Sequence, residues 1–189
     1  GQGYDFLSYL YEATQEKEKA IPFLKGWLER YPKDLARSER LVELLLASGD
    51  LGGAIELQAR LLSYWPTDKK QWWNLIYTLS DHKRHEEAIV KLEEFIDRYP
   101  QEGPAVEQLA YLYQEKGQSE KAVFILKNYV QSHPDDTKLW SMTIDLLLDQ
   151  GRNNEAQTLC RDKLNLDLSN PLWSQKLAEI VSHQSQVYL

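Results

Sequence analysis

An alanine and a proline return every 34 residues along this chain. Ala20, Ala54, Ala88, Ala122 and Ala156 form one series, and Pro32, Pro66, Pro100 and Pro134 form another. A ring precedes each proline: Tyr31, Trp65, Tyr99 and His133. Gly49, Gly117 and Gly151 share a third phase, in which Lys83 once takes the glycine's place. A fixed period of this length means stacked units, each too small to bury its apolar face alone.

The physics of one unit is readable over 103–136. Val106, Leu109, Ala110 and Tyr113 recur at helical spacing, so one face of a first helix is apolar. Gly117 supplies the turn. Ala122, Phe124, Ile125, Leu126, Tyr129 and Val130 make a second apolar helix, which Pro134 ends. The recurring alanine implies a close helix crossing, where a large side chain would overpack the contact at a cost of about 1–3 kcal/mol.

The pattern resembles the tetratricopeptide repeat family. That family's unit carries Trp at its fourth place, Leu at the seventh, a small residue at the eighth and Tyr at the eleventh, then Ala, an aromatic or large apolar residue, and Pro at the twentieth, twenty-fourth and thirty-second. Trp72 and Trp140 take the Trp place, with Tyr4 as a substitute; Leu7, Leu41, Leu75 and Leu109 take the Leu place; Tyr11 and Tyr113 take the Tyr place. The resemblance implies an all-α, right-handed α-solenoid of five helix-turn-helix repeats, 1–34, 35–68, 69–102, 103–136 and 137–170, in a single domain over 1–189. A terminal helix over 171–189, with Leu177, Ala178 and Val181 at the seventh, eighth and eleventh places, is expected to cap the last repeat. The fifth repeat, with Thr143, Cys160 and Leu168 at the Leu, aromatic and Pro places, should be the least regular.

Composition narrows the functions. The chain is acidic, with 22 Lys and Arg against 29 Asp and Glu and a net charge of −7, and its basic residues are scattered. No basic stripe exists to neutralise phosphates, so nucleic acid is not an expected partner. No run of about 18 apolar residues could insert in a membrane, and no signal peptide is visible. The chain opens without Met and in repeat phase, which suggests a segment of a longer protein and leaves the compartment open between cytoplasm and bacterial periplasm. Cys160 is the only cysteine, so no internal disulfide forms, and its core place makes it an inert thiol. His82 and His85 form an H-x-x-H, but beside Lys83 and Arg84 they read as a solvated turn. There is no phosphate loop, nucleophile elbow or metal pattern, so neither an enzyme nor a cofactor is expected.

In the family, the second, fifth, ninth, twelfth and thirteenth places line a concave groove. Carried over, these give Asp5, Glu39, Trp73 and Glu107 at fifth places and Tyr9, Glu43, Tyr77, Tyr111 and Asp145 at ninth places. Glu12 falls at a twelfth place, and Asp81, Glu115 and Asp149 at thirteenth places. Basic residues stand only at the rim, as Lys70 and Lys138, with Arg40 able to reach in. The groove is therefore expected to be acidic, with Trp73, Tyr77 and Tyr111 forming one aromatic patch, suited to a cationic or basic-aromatic protein segment. Family members that clamp a chaperone's C-terminal carboxylate use Lys at a fifth place and Asn at a ninth, and no repeat here has either. An alternative is a periplasmic segment of a bacterial exopolysaccharide export protein, holding an amino-sugar polymer. A third is a spacer that assembles through its end repeats or convex face.

Overall fold

The computed structural model describes residues 17–186, with side chains over 19–182. Within these residues ten helices follow one another without a strand: α1 (Lys17–Arg30), α2 (Leu35–Ala47), α3 (Leu51–Tyr64), α4 (Lys69–Asp81), α5 (His85–Arg98), α6 (Gly103–Glu115), α7 (Ser119–Ser132), α8 (Thr137–Asp149), α9 (Asn153–Leu166) and α10 (Pro171–Gln186). From α2 to α9, each repeat's first helix has 13 residues and its second has 14. The architecture is an all-α helical repeat solenoid. Two compact units divide it, one ending at Lys91 and one starting at Leu92, so the boundary falls inside α5.

Repeat ends are written in side-chain chemistry. Asp34, Asp68 and Asp136 close their repeats and cap the next helix, accepting from the backbone N–H of Arg37 at 3.1 Å, Lys70 at 2.9 Å and Leu139 at 3.1 Å. Each satisfies an N–H that the helix start leaves unpaired. Between paired helices the chain passes once through the left-handed region: φ is 83° at Gly49, 69° at Gly117, 70° at Gly151 and 59° at Lys83. Nothing lies within 4 Å of a Cβ built on those three glycines, so the turn asks only for the backbone angle. A side chain pays for that angle through its own Cβ. Lys83→Gly is therefore expected to stabilise the protein by about 1 kcal/mol in chemical denaturation; a loss of stability would contradict this account of the turn.

In the first unit, α1 to α4 pack each on the next, and Leu24, Leu28, Leu41, Leu45 and Leu57 are buried between them. The second unit stacks α6 to α10 in the same way over Leu109, Leu126, Leu139, Ile144 and Leu147. All five alanines of the series are fully buried. Trp72 and Trp140 are buried too, their indole N–H groups donating to Pro66 O at 2.9 Å and His133 O at 3.3 Å.

Several details depart from the sequence expectation. Phe124 points outward, 68% exposed, and Val123 is buried instead. On α7 the buried face runs through Ala122, Val123, Leu126 and Val130, and a helical position at 124 lies on the other side. Trp27 is only partly buried: it stacks on Tyr31 at 4.4 Å, lies under the Arg37 guanidinium and donates to Asp34 Oδ2 at 2.9 Å. On α10 the buried residues are Trp173 and Ile180, while Ala178 and Val181 are exposed. Those outward places elsewhere meet the second helix of the same repeat, whereas α10 packs back on α9.

The fifth repeat keeps its helix lengths, so its irregularity is chemical. Thr143 is buried and donates to Leu139 O at 2.6 Å; Cys160 is buried against Trp173, where burial pushes its thiol pKa up. Lys163 occupies a place where the other repeats have Trp27, Leu61, Phe95 and Tyr129. Its ammonium is buried, donates to Pro134 O at 2.7 Å and lies 5.9 Å and 5.5 Å from the Trp140 and Trp173 ring centroids.

A charged network ties α7 to α9. Arg152 reaches Glu120 at 2.7 Å and grips both oxygens of Glu155 at 2.7 and 2.8 Å, with Lys127 3.2 Å from the same carboxylate. These donors hold the Glu155 carboxyl down at about 2 from its ordinary 4.5. The fold thus favours the charged form, and its contribution is present above pH 4.5 and lost as pH falls towards 2. A carbon-detected NMR titration should place the Glu155 midpoint near 2, and Arg152→Ala should return it towards 4.5. An unshifted midpoint in the parent protein would refute the network.

Candidate binding site

The first helix of each repeat carries the places expected from the sequence to line a groove. In the first unit, α2 and α4 stand side by side over α3, and a cleft of about 330 Å³ opens between them. Glu39, Glu43, Tyr77 and Asp81, four of the residues singled out in the sequence, line it together. Trp73 stacks on Tyr77, with ring centroids 5.1 Å apart and planes inclined by 24°. Tyr77 is 53% exposed.

In the second unit, Asp145 and Asp149 meet Lys176 and Glu179 in a cleft of about 370 Å³ between α8 and α10. Glu107, Tyr111 and Glu115 lie along α6, with Tyr111 52% exposed. The expected three-ring patch is thus present as a Trp73–Tyr77 pair in the first unit, with Tyr111 exposed in the second. Asp5, Tyr9 and Glu12 lie outside the described residues.

The lysines expected at the rim do more than stand there. Lys70 donates to both oxygens of Glu39, at 2.8 and 2.9 Å, and Lys138 reaches Glu107 at 2.6 Å. Each pair joins a repeat's fifth place to the next repeat's second. Lys176 of α10 makes a further inter-helix pair with Asp145, at a ninth place, at 2.6 Å. Arg40 pairs with Glu43 one turn along α2. Burial works to raise the Glu39 pKa, but the hydrogen bonds from Lys70 and Gln71 and the lysine's charge hold it below the usual value. Four of the carboxylates are therefore already paired, while Asp81, Glu115 and Asp149 stand exposed near the helix ends. Among the described residues, the candidate carboxylates without an ion pair are those at the thirteenth places.

One residue of the first cleft escaped the sequence reading. Gln58 sits at a twenty-fourth place, where Leu24, Leu92 and Leu126 are apolar. It is 5% exposed and lines the cleft from α3. Its amide nitrogen donates to Asn74 O at 3.2 Å and to Thr78 Oγ1 at 2.9 Å. A backbone carbonyl can only accept, so that nitrogen is correctly placed and the amide oxygen faces away. Gln58 Oε1 is buried without a hydrogen-bond partner. Such an orphan acceptor costs about 1–3 kcal/mol. A polar residue at an apolar place of the repeat was the available signal.

The comparisons now carry the identification. A tetratricopeptide repeat family model matches residues 79–143. Over that third of the chain the sequence matches the tetratricopeptide repeat. Two curated proteins are similar in sequence. The human Protein O-mannosyl-transferase TMTC3 is 28% identical over 147 residues, covering 76% of this chain and 16% of that protein. The Arabidopsis thaliana N-terminal acetyltransferase A complex auxiliary subunit NAA15 is 25% identical over 190 residues, covering 95% of this chain and 21% of that protein. The chain spans about a sixth to a fifth of the length of the curated relatives it matches. Among solved structures, one described as Naa15/Naa10 bound to HypK-THB superposes with a TM-score of 0.65 at 17% identity, covering 93% of this chain and 28% of that one. No helix among the described residues is long and apolar enough to cross a membrane.

Proposed function

We propose that this tetratricopeptide array is a non-catalytic interaction scaffold whose concave faces hold a cationic or basic-aromatic protein segment. The observation that carries the reading is the first unit's cleft, where the exposed Asp81 and an exposed tyrosine stand beside the Glu39–Lys70 and Glu43–Arg40 ion pairs. An aromatic face and carboxylates together suit a side chain with a positive head and an apolar stem. The relatives support the protein-partner part. NAA15 is named as an auxiliary subunit of a complex, and the similar solved structure contains Naa15 together with Naa10 and HypK.

The test is a panel of basic peptides, acidic peptides and partly deacetylated glycans, read by calorimetry at rising salt. Basic peptides should bind best. Their affinity should fall as salt rises, because exposed charges are screened beyond about 8 Å at physiological ionic strength. Preference for acidic peptides would end the acidic-groove reading, and preference for the glycans would replace the protein segment with a polysaccharide.

A further inference from the structure

We infer that the α2–α4 cleft is an arginine-side-chain site, with Gln58 as the buried acceptor at its base. The inference rests on the proposed reading of the concave face and deepens it. Two independent features lead to it. Of the three carboxylates in the cleft lining, Lys70 answers Glu39 and Arg40 answers Glu43, which leaves Asp81 as the one without an ion pair. Beneath that lining lies the one member whose hydrogen bonding is incomplete, since Gln58 Oε1 is buried and has no donor.

The chemistry of the missing donor follows from its surroundings. Val42, Leu46 and Leu61 line the cleft with apolar surface, which suits a methylene stem. Tyr77 stands half in solvent beside them and offers a ring face to a planar cation. Asp81 offers a carboxylate, and Gln58 offers a neutral acceptor. A guanidinium has five N–H donors in one plane and can satisfy several such acceptors at once. An ammonium is a point charge with a large hydration shell, and Lys70 already supplies one to Glu39. Asn74 O and Thr78 Oγ1 engage the Gln58 amide nitrogen, so only its oxygen is left without a partner.

Four capped pentapeptides, with one central arginine, lysine, citrulline or glutamate in a glycine background, test the assignment. Each is titrated into the isotope-labelled chain, and the Gln58 side-chain amide resonance is followed. The arginine peptide should shift that resonance and bind about five-fold more tightly than the lysine peptide, while citrulline, without charge, should lose about ten-fold. Gln58→Leu removes the acceptor and restores an apolar residue, so it should raise the melting temperature while weakening the arginine peptide about five-fold or more. Unchanged arginine affinity in Gln58→Leu would mean that the oxygen holds only water, and would overturn the assignment. Equal binding of arginine and lysine peptides would overturn it as well. In either case longer basic peptides could still bind, so the scaffold reading would survive. If no cationic probe of any length binds, both readings fail.

Discussion

Trp72→Ala should lower the stability of the protein by about 3–5 kcal/mol, and Trp73→Ala by only about 1 kcal/mol. The two indoles are neighbours in sequence and lie about 100° apart around α4. Trp72 is 5% exposed and its N–H is engaged by Pro66, so truncation empties a packed site and leaves that carbonyl without its donor. Trp73 is only partly buried and stacks on Tyr77, so its removal gives up a ring pair and little core. In a binding assay the order reverses. Trp73→Ala should weaken a basic ligand by about 2 kcal/mol, the scale of an aromatic hot spot. Thermal melts beside calorimetry decide the matter. If Trp73→Ala unfolds the chain and Trp72→Ala does not, the concave and core faces have been exchanged.

Ala88→Trp should cost about 1–3 kcal/mol or more, because Ala88 is fully buried at a helix crossing that has no room for an indole. The control is Val90→Trp. Val90 lies two residues along the same helix and is 48% exposed, so its substitution should fall within about 0.5 kcal/mol of the parent. Glu93 is a poorer control than its outward position suggests, because it accepts the Tyr113 hydroxyl. Equal melting temperatures for the two tryptophan variants would contradict the assignment of the alanine series to close crossings.

The fold was legible because repetition multiplies weak signals. One alanine says little, but the same alanine at Ala54, Ala88 and Ala122 fixes the phase of every helix between. Individual orientations were less legible. Phe124 counted as core because it is apolar and sits among core residues, yet the helical turn carries it outward. Trp173 and Ile180 escaped notice because the family's first-helix pattern describes packing against a partner helix within the same repeat, and α10 packs on the helix before it. The candidate groove came from places in the repeat, which locate a residue but not its neighbour across the next one. Spacing identified Glu39 and Lys70, but not the ion pair between them. At Gln58 the sequence itself carries the signal, a polar residue at a twenty-fourth place that is apolar in the other repeats.

The lysine pairs of the concave face have a consequence for selectivity. Lys70, Lys138 and Lys176 are tethered cations, each held by the chain at high local concentration beside its carboxylate. An incoming ligand at these positions is a competitor rather than a first occupant. A solitary ammonium from a partner gains nothing over the resident one, since the exchange is like for like. Only a ligand that brings something the lysine lacks, such as a planar fork of donors or a second anchor elsewhere, can shift the exchange in its favour. On the proposed binding reading, such a surface would favour a multivalent partner over salt ions and single lysine tails, because its carboxylates are already answered.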